Sequence, residues 1–391
     1  PLGHGRKEIT EAVSKQLDKL DYCQPFNQGY GGSFELATRI AKKTPEGINR
    51  IFYTICGSTA VETAIKIAIA YHRAKGDSKR FRFVGRERGY HGMNIGATTV
   101  GGMINNVKTF ASVLMPGVQH MRHTHLPEHK FVKGQPDTGV EMAEDLERIA
   151  MNFGGENIAA CIVEPIAGST GTLVPPKGYL KRLREICDKH GILLIFDEVI
   201  TGWGRTGSAF AAQEWGVTPD IMTMAKATTN GVVPMGVVAV KEEMYDAVLD
   251  ASKAPEGTPE LFHGYTYSGI PVAVAAALAV QDIFDKEDIF KRAKEMSPYF
   301  QDGLHSLKDL KEVVSIRGYG MMGGVEMKMD EKPGKSGYQT FKHCYDAGVN
   351  FKNTGDTLII APQFICEKKH IDEIIDKLRT GITKYQKNQK N

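Results

Sequence analysis

Residues 191–207, GILLIFDEVITGWGRTG, constrain this chain more than any other stretch. Ile192, Leu193, Leu194, Ile195 and Phe196 form an unbroken apolar run, the pattern of a strand buried on both faces of a parallel sheet. The run stops at a carboxylate pair, Asp197 and Glu198. Open α/β sheets bind ligands above the carboxyl ends of their strands, so Asp197 either faces a ligand or simply starts a polar loop. A second short apolar segment, 221–225, ends on Lys226. A lysine on a neighbouring strand end is a solvated charge or a nucleophilic amine. The second role requires the unprotonated form, which a partly dry site or a nearby positive group favours.

Together the two residues match what a pyridoxal cofactor asks of a protein, an amine to hold it and an acid at its ring nitrogen. The segments DEVITGWGRTG and AKATTNGVVPMG resemble the class III, fold type I pyridoxal-phosphate aminotransferases, and are closest to the β-alanine (ω-amino acid):pyruvate branch. FELATRIA, GSTAVETAIKIAIAYHRAKG, GRERGYHG, LMPGV, VEPIAGSTGTLVPPKGYLKRLREICDKHG and FHGYTYSGIPVA extend the resemblance over nearly the whole chain. It implies an α/β fold, with a large cofactor-binding domain built on a mainly parallel seven-stranded sheet between helices, and a smaller α+β domain. The expected division is 1–30 as the remnant of an amino-terminal segment that helps form the small domain and substrate entrance, 31–284 as the large domain, and 285–391 as the small one.

IFYTICGST reads as a strand breaking into a small-residue turn that feeds a helix, and free N–H groups at a helix start suit a phosphate. Such turns also cap helices that bind nothing. The resemblance makes Gly57, Ser58 and Thr59 the phosphate seat, although the family often has an acidic residue or Asn near Thr59. It also makes Tyr90 and His91 of GRERGYHG cofactor contacts, with Tyr90 on one ring face and Val199 on the other. IAACIVEP is a further buried strand ending on Glu164, and helix 179–189 returns it to the central strand, so 158–197 forms one βαβ unit. Glu164 is therefore expected near the cofactor, either orienting its hydrogen bonds or paired with an arginine. In FHGYTYSGIPVA the resemblance assigns Thr266 to the cofactor phosphate of the partner subunit, which requires a homodimer. Ile270 stands where the family usually shows His.

By the same resemblance Lys226 carries the cofactor and shuttles the substrate proton, while Asp197 keeps the ring nitrogen protonated. The implied reaction passes an amino group from an amine donor to a keto-acid acceptor. In the 2-oxoglutarate branch an arginine is gated by a glutamate; Ile359 and Ser169 occupy those positions here. The pyruvate branch takes its arginine from just before GDT, where FKNTGDT offers Lys352, a point charge without the planar fork. Lys352 and Trp203 are the expected substrate residues, pyruvate the acceptor, and β-alanine, taurine or a longer ω-amino acid the donor. The same machinery also serves 2-oxoglutarate-dependent aminotransferases, mutases, racemases and decarboxylases. The reading from another class, a non-enzymatic or nucleotide-binding α/β protein, would need GxGxxG after the first strand, and CGSTA stands there instead.

With 49 basic and 46 acidic residues the net charge is only +3, too balanced for a nucleic-acid footprint. The six cysteines show no CxxC spacing and read as free, mostly buried thiols in a reducing compartment, which places the chain in the cytoplasm. No run of about 18 apolar residues predicts a membrane span, and the opening PLGHGRKEITEAV has no charged-then-apolar leader. HMRHTH brings His120, His123 and His125 close together without cysteine or carboxylate in a rigid spacing, so a solvated loop is expected rather than a metal site. The lysine-rich end KYQKNQKN reads as a frayed tail.

Overall fold

A computed structural model of the chain describes residues 1–252 and 260–388. Its main sheet has seven strands in the order β1-β7-β6-β5-β4-β2-β3. These are β1 Ile48–Thr54, β2 Arg82–Arg86, β3 Val118–Met121, β4 Ile158–Val163, β5 Leu193–Asp197, β6 Ile221–Met224 and β7 Gly236–Lys241. Strand β7 runs antiparallel to both β1 and β6, and the remaining pairs are parallel. Because β7 reverses twice, β1 points the same way as β6. The carboxyl ends of β1, β2, β4, β5 and β6 thus open on one edge.

The apolar run at the centre is buried on both faces, as its composition predicts. Leu194 and Phe196 join one core cluster, and Leu193 and Ile195 join another. Adjacent residues on a strand point to opposite faces, so the sheet is packed between two layers of helices. One layer is the helix Gly57–Ala74, which buries Ala60, Val61, Ala64, Ile65 and Ala68. The other includes Tyr179–His190 and the alanine-rich Pro271–Lys286. Ala273, Ala276 and Ala277 bury small side chains in that layer, which lets the backbone come close. The amino-terminal helix Lys7–Lys19 lies against Pro271–Lys286, with Ile9 buried.

A second, antiparallel sheet has the order β10-β11-β9-β8, from β8 Val313–Tyr319, β9 Met322–Met327, β10 Lys352–Thr354 and β11 Thr357–Ile360. Helices Ile289–His305, Lys335–Asp346 and Lys368–Asn388 accompany it. The last helix corrects the frayed-tail expectation up to Asn388. Tyr385 is buried and its hydroxyl lies 3.3 Å from Asp330, because it continues the buried row Ile371, Ile375, Leu378 and Ile382. Residues 389–391 fall outside the described residues.

The histidines of HMRHTH are not solvated as expected. His120 lies on β3 with Nε2 2.8 Å from the Gly101 carbonyl, and burial depresses the pKa of His125 to about 3. No metal-binding cluster occurs among the described residues. No helix among them is long and apolar enough to cross a membrane. All six cysteines are free; Cys161, Cys187, Cys344 and Cys366 are buried.

Candidate active site

The strand ends close around a cavity of about 310 Å³. Its wall takes Gly57 and Ser58 from beyond β1, Tyr90, His91 and Gly92 from beyond β2, and Glu164 from beyond β4. Asp197, Val199 and Ile200 follow from β5, and Lys226 from β6. The sheet thus gathers most of the residues singled out in the sequence.

Asp197 is buried and held on both oxygens. His91 Nδ1 lies 2.8 Å from Oδ2, and the Val199 N–H donates to Oδ1 at 3.1 Å. His91 Nε2 is buried and has no protein partner. Glu164 accepts the Tyr90 N–H on Oε1 and the Gly168 N–H on Oε2, each at 2.9 Å. Burial pushes the Glu164 carboxyl above its usual range; His91 opposes this and the nearby Asp197 charge adds to it. The Glu164 carboxylate thus joins the Tyr90 loop to Gly168 and forms no arginine pair among the described residues.

The helix Gly57–Ala74 starts with Cys56 as N-cap, and the Thr59 hydroxyl donates to the Cys56 carbonyl at 2.9 Å, with Cys56 Sγ 3.6 Å away. Thr59 Oγ1 turns back to accept the N–H groups of Cys56 at 2.9 Å and Ile55 at 3.1 Å. Its hydroxyl is therefore committed to capping and does not line the cavity. The first-turn N–H groups of Gly57 and Ser58 have no acceptor within the helix. They lie at the cavity wall, where a Cβ on Gly57 would come 3.3 Å from the Val199 methyls.

Lys226 takes the left-handed conformation, φ +43°, and opens the short turn Lys226–Thr229. That kink turns the chain sharply at the end of β6. The side chain is exposed to the cavity, and desolvation by the surrounding protein lowers the ammonium pKa. The charges of Asp197 and Glu164 act the other way, and Lys352 adds to the lowering. Lys352 is exposed on β10, beyond the cavity wall but near enough for its charge to be felt there. Thr266 is also exposed and does not line its own chain's cavity.

Trp203 corrects the expectation of a substrate contact. Its ring is 1% exposed, packed on Phe210 and Phe284, and its Nε1–H donates to Thr228 Oγ1 at 3.0 Å. It braces the Lys226 turn through Thr228 and does not line this cavity. Conversely, Cys56, Ile200, Thr229, Val233 and Met235 line the cavity without having been singled out. For Val233 and Met235 the signal was available in the apolar VVPM that follows the lysine.

These groups fit pyridoxal phosphate. They offer a pair of free N–H groups at a helix start, a buried carboxylate, an amine of lowered pKa, and a buried imidazole nitrogen that no protein group satisfies. The profile of the aminotransferase class-III family matches residues 1–382. An omega-aminotransferase of Caulobacter vibrioides is 50% identical over 381 residues, spanning 96% of this chain and 85% of that protein. A beta-alanine–pyruvate aminotransferase of Pseudomonas aeruginosa is 44% identical over 382 residues, 97% of this chain and 85% of that one. Among solved structures, the omega transaminase of Pseudomonas jessenii in complex with PMP superposes with a TM-score of 0.92 at 28% identity, covering 98% of this chain and 86% of that one. A site assembled at these strand ends, in a chain so related along nearly its whole length, belongs to a class-III aminotransferase, a pyridoxal-phosphate enzyme.

Proposed function

We propose that this enzyme transfers the amino group of a terminal primary amine, β-alanine or a longer ω-amino acid, to pyruvate, giving alanine and an aldehyde or semialdehyde. The observation that carries the reading is the amine of Lys226, lowered in pKa and sharing one cavity with Asp197 and the N–H groups of Gly57 and Ser58. Bound pyridoxal phosphate supplies an electron-poor ring that takes up the electron pair of the broken C–H bond. Lys226 Nζ holds the cofactor and, once displaced, moves a proton to and from the substrate carbon. Asp197, fixed by His91 and the Val199 N–H, holds the ring-nitrogen proton. Gly57 and Ser58 receive the phosphate, with Tyr90 and Val199 flanking the ring and Glu164 steadying the Tyr90 loop. Thr59 serves through its cap of the phosphate helix. The exposed Thr266 reaches the partner's phosphate in a homodimer.

The choice of pyruvate rests on the absent gate at Ile359 and Ser169, on Lys352 as carboxylate site, and on the relatives named for pyruvate or ω-amino substrates. Borohydride reduction followed by peptide mapping should find the cofactor fixed to Lys226, and a label on another lysine overturns the site. A donor and acceptor screen should find pyruvate used with β-alanine. Efficient 2-oxoglutarate use with pyruvate ignored rejects the substrate reading, and a taurine preference would move the donor to a sulfonate.

A further inference from the structure

Arg317 on β8 is 4% exposed, and its guanidinium nitrogens reach several separate segments. Nε donates to the Gly171 carbonyl at 2.7 Å, Nη1 to Glu326 Oε2 at 2.6 Å and Ser315 Oγ at 3.0 Å, and Nη2 to Thr357 Oγ1 at 3.2 Å. Burying a guanidinium against a single carboxylate is a costly way to hold a sheet together. What the residue joins is more telling than what it stabilises.

On one side is the strap 165–173, which leaves Glu164 and is closed by the Ala167–Leu173 bridge. Glu164 ties the strap to the Tyr90 loop through the Tyr90 and Gly168 N–H groups. Arg88 and Thr170 add a second tie, Nη2 to the Thr170 carbonyl at 2.9 Å and Thr170 Oγ1 to the Arg88 carbonyl at 2.6 Å. On the other side, Thr357 begins β11 and pairs with Thr354, and the same hairpin sets Lys352 opposite Ile359. The contact has no slack. A Cβ on Gly171 would lie 2.8 Å from Arg317 Nη2, and one on Gly324 would lie 2.7 Å from the Gly171 carbonyl.

We propose that Arg317 is a positioning residue, setting the Lys352 hairpin against the strap and thereby fixing where the substrate carboxylate is held relative to the cofactor loop. The inference rests on the reading of Lys352 as that carboxylate's partner. Thr357→Val keeps the β-branched shape and removes only the Nη2 acceptor; Arg317→Lys loses the fork but keeps the charge. Both are compared with Lys352→Ala, using pyruvate and a primary amine that carries no carboxylate, with hydrogen exchange of amides 352–357 followed in cofactor-free protein.

In Thr357→Val the pyruvate KM should rise roughly tenfold, the scale of a small misplacement of a binding group. The amine KM and kcat should stay within about twofold, and the hairpin amides should exchange faster. Arg317→Lys should act in the same direction, and neither change should add to Lys352→Ala. If Lys352→Ala raises the pyruvate KM and the other two variants do not, the role of Arg317 is overturned while the substrate reading stands. An unchanged pyruvate KM in Lys352→Ala overturns that reading, and the inference with it. Equal losses with both substrates and faster exchange throughout the chain would reduce Arg317 to a structural residue.

Discussion

Trp203→Phe separates a core residue from a substrate contact. The replacement keeps an aromatic ring between Phe210 and Phe284 and removes the N–H that reaches Thr228 Oγ1 at 3.0 Å. Thr228 still donates to the Ala225 carbonyl at 3.1 Å, so no buried donor is stranded. Losing one neutral hydrogen bond costs about 1 kcal/mol. The smaller ring leaves a void of roughly 40 Å³, which at about 24 cal/mol per Å³ adds about another 1 kcal/mol. For a chain of 391 residues the unfolding entropy, about 2 cal/mol/K per residue, converts the sum of about 2 kcal/mol into a Tm lower by about 2.5 °C. Thermal unfolding with the cofactor kept in excess measures the shift, and steady-state kinetics with β-alanine and pyruvate should return both KM values unchanged. An unaltered Tm together with a changed KM would return Trp203 to the substrate.

Gly92→Ala would place a Cβ 2.4 Å from Ser58 Oγ and 2.7 Å from Ser58 Cα at a φ of +120°. It should therefore weaken cofactor retention at least tenfold in equilibrium dialysis; retention equal to the parent would show that the loop and helix start can separate freely. Mixed dimers of Lys226→Ala and Thr266→Ala chains should carry one doubly damaged site and one intact site, and so regain activity that neither parent has. Hybrids as inactive as the parents would mean that each site is built from one chain. Glu198 is buried and accepts the N–H groups of Ala211 and Ala212 and the Thr201 hydroxyl, and burial raises its pKa from 4.5 to about 7. Its contribution to stability is fully present below pH 4.5 and is lost as the pH climbs through about 7, because the unfolded chain releases the proton earlier. Glu198→Gln should flatten the fall in Tm between pH 5 and 7.5, and a slope parallel to the parent would refute it.

The central strands were legible because burial on both faces leaves apolar runs, and those of β4, β5 and β6 lead to a charged residue that faces the cavity. Asp197, Glu164 and Lys226 were found that way, without knowledge of what lay opposite them. Trp203 was misread because a tryptophan between glycines looks like a loop residue, and the rings that bury it, Phe210 and Phe284, include one more than 80 positions away. The tail was misread because lysine-rich composition hid a row of apolar residues at alternating steps of four and three, ending at Tyr385. Thr59 showed its type and position but not the direction of its hydroxyl. The Arg317 contacts join residues 171, 326 and 357, a coincidence that no local pattern contains.

The proton affinity of Lys226 links the two sheets. Burial lowers it, the carboxylates of Asp197 and Glu164 raise it, and the ammonium of Lys352 lowers it again. The two carboxylates stand on strand ends of the same rigid sheet as the lysine, and their oxygens are held by backbone N–H groups and His91, so their influence is fixed with the fold. Lys352 comes from the other sheet, on a hairpin whose described side-chain tie to the strap runs through Thr357 and Arg317. Of the charges acting on the reactive amine, it is the one whose distance depends on how the small sheet is seated. With the carboxylate site proposed at Lys352 placed there, substrate recognition and the readiness of Lys226 would depend on one geometry, the one that the Arg317 proposal assigns to its contacts with Gly171 and Thr357.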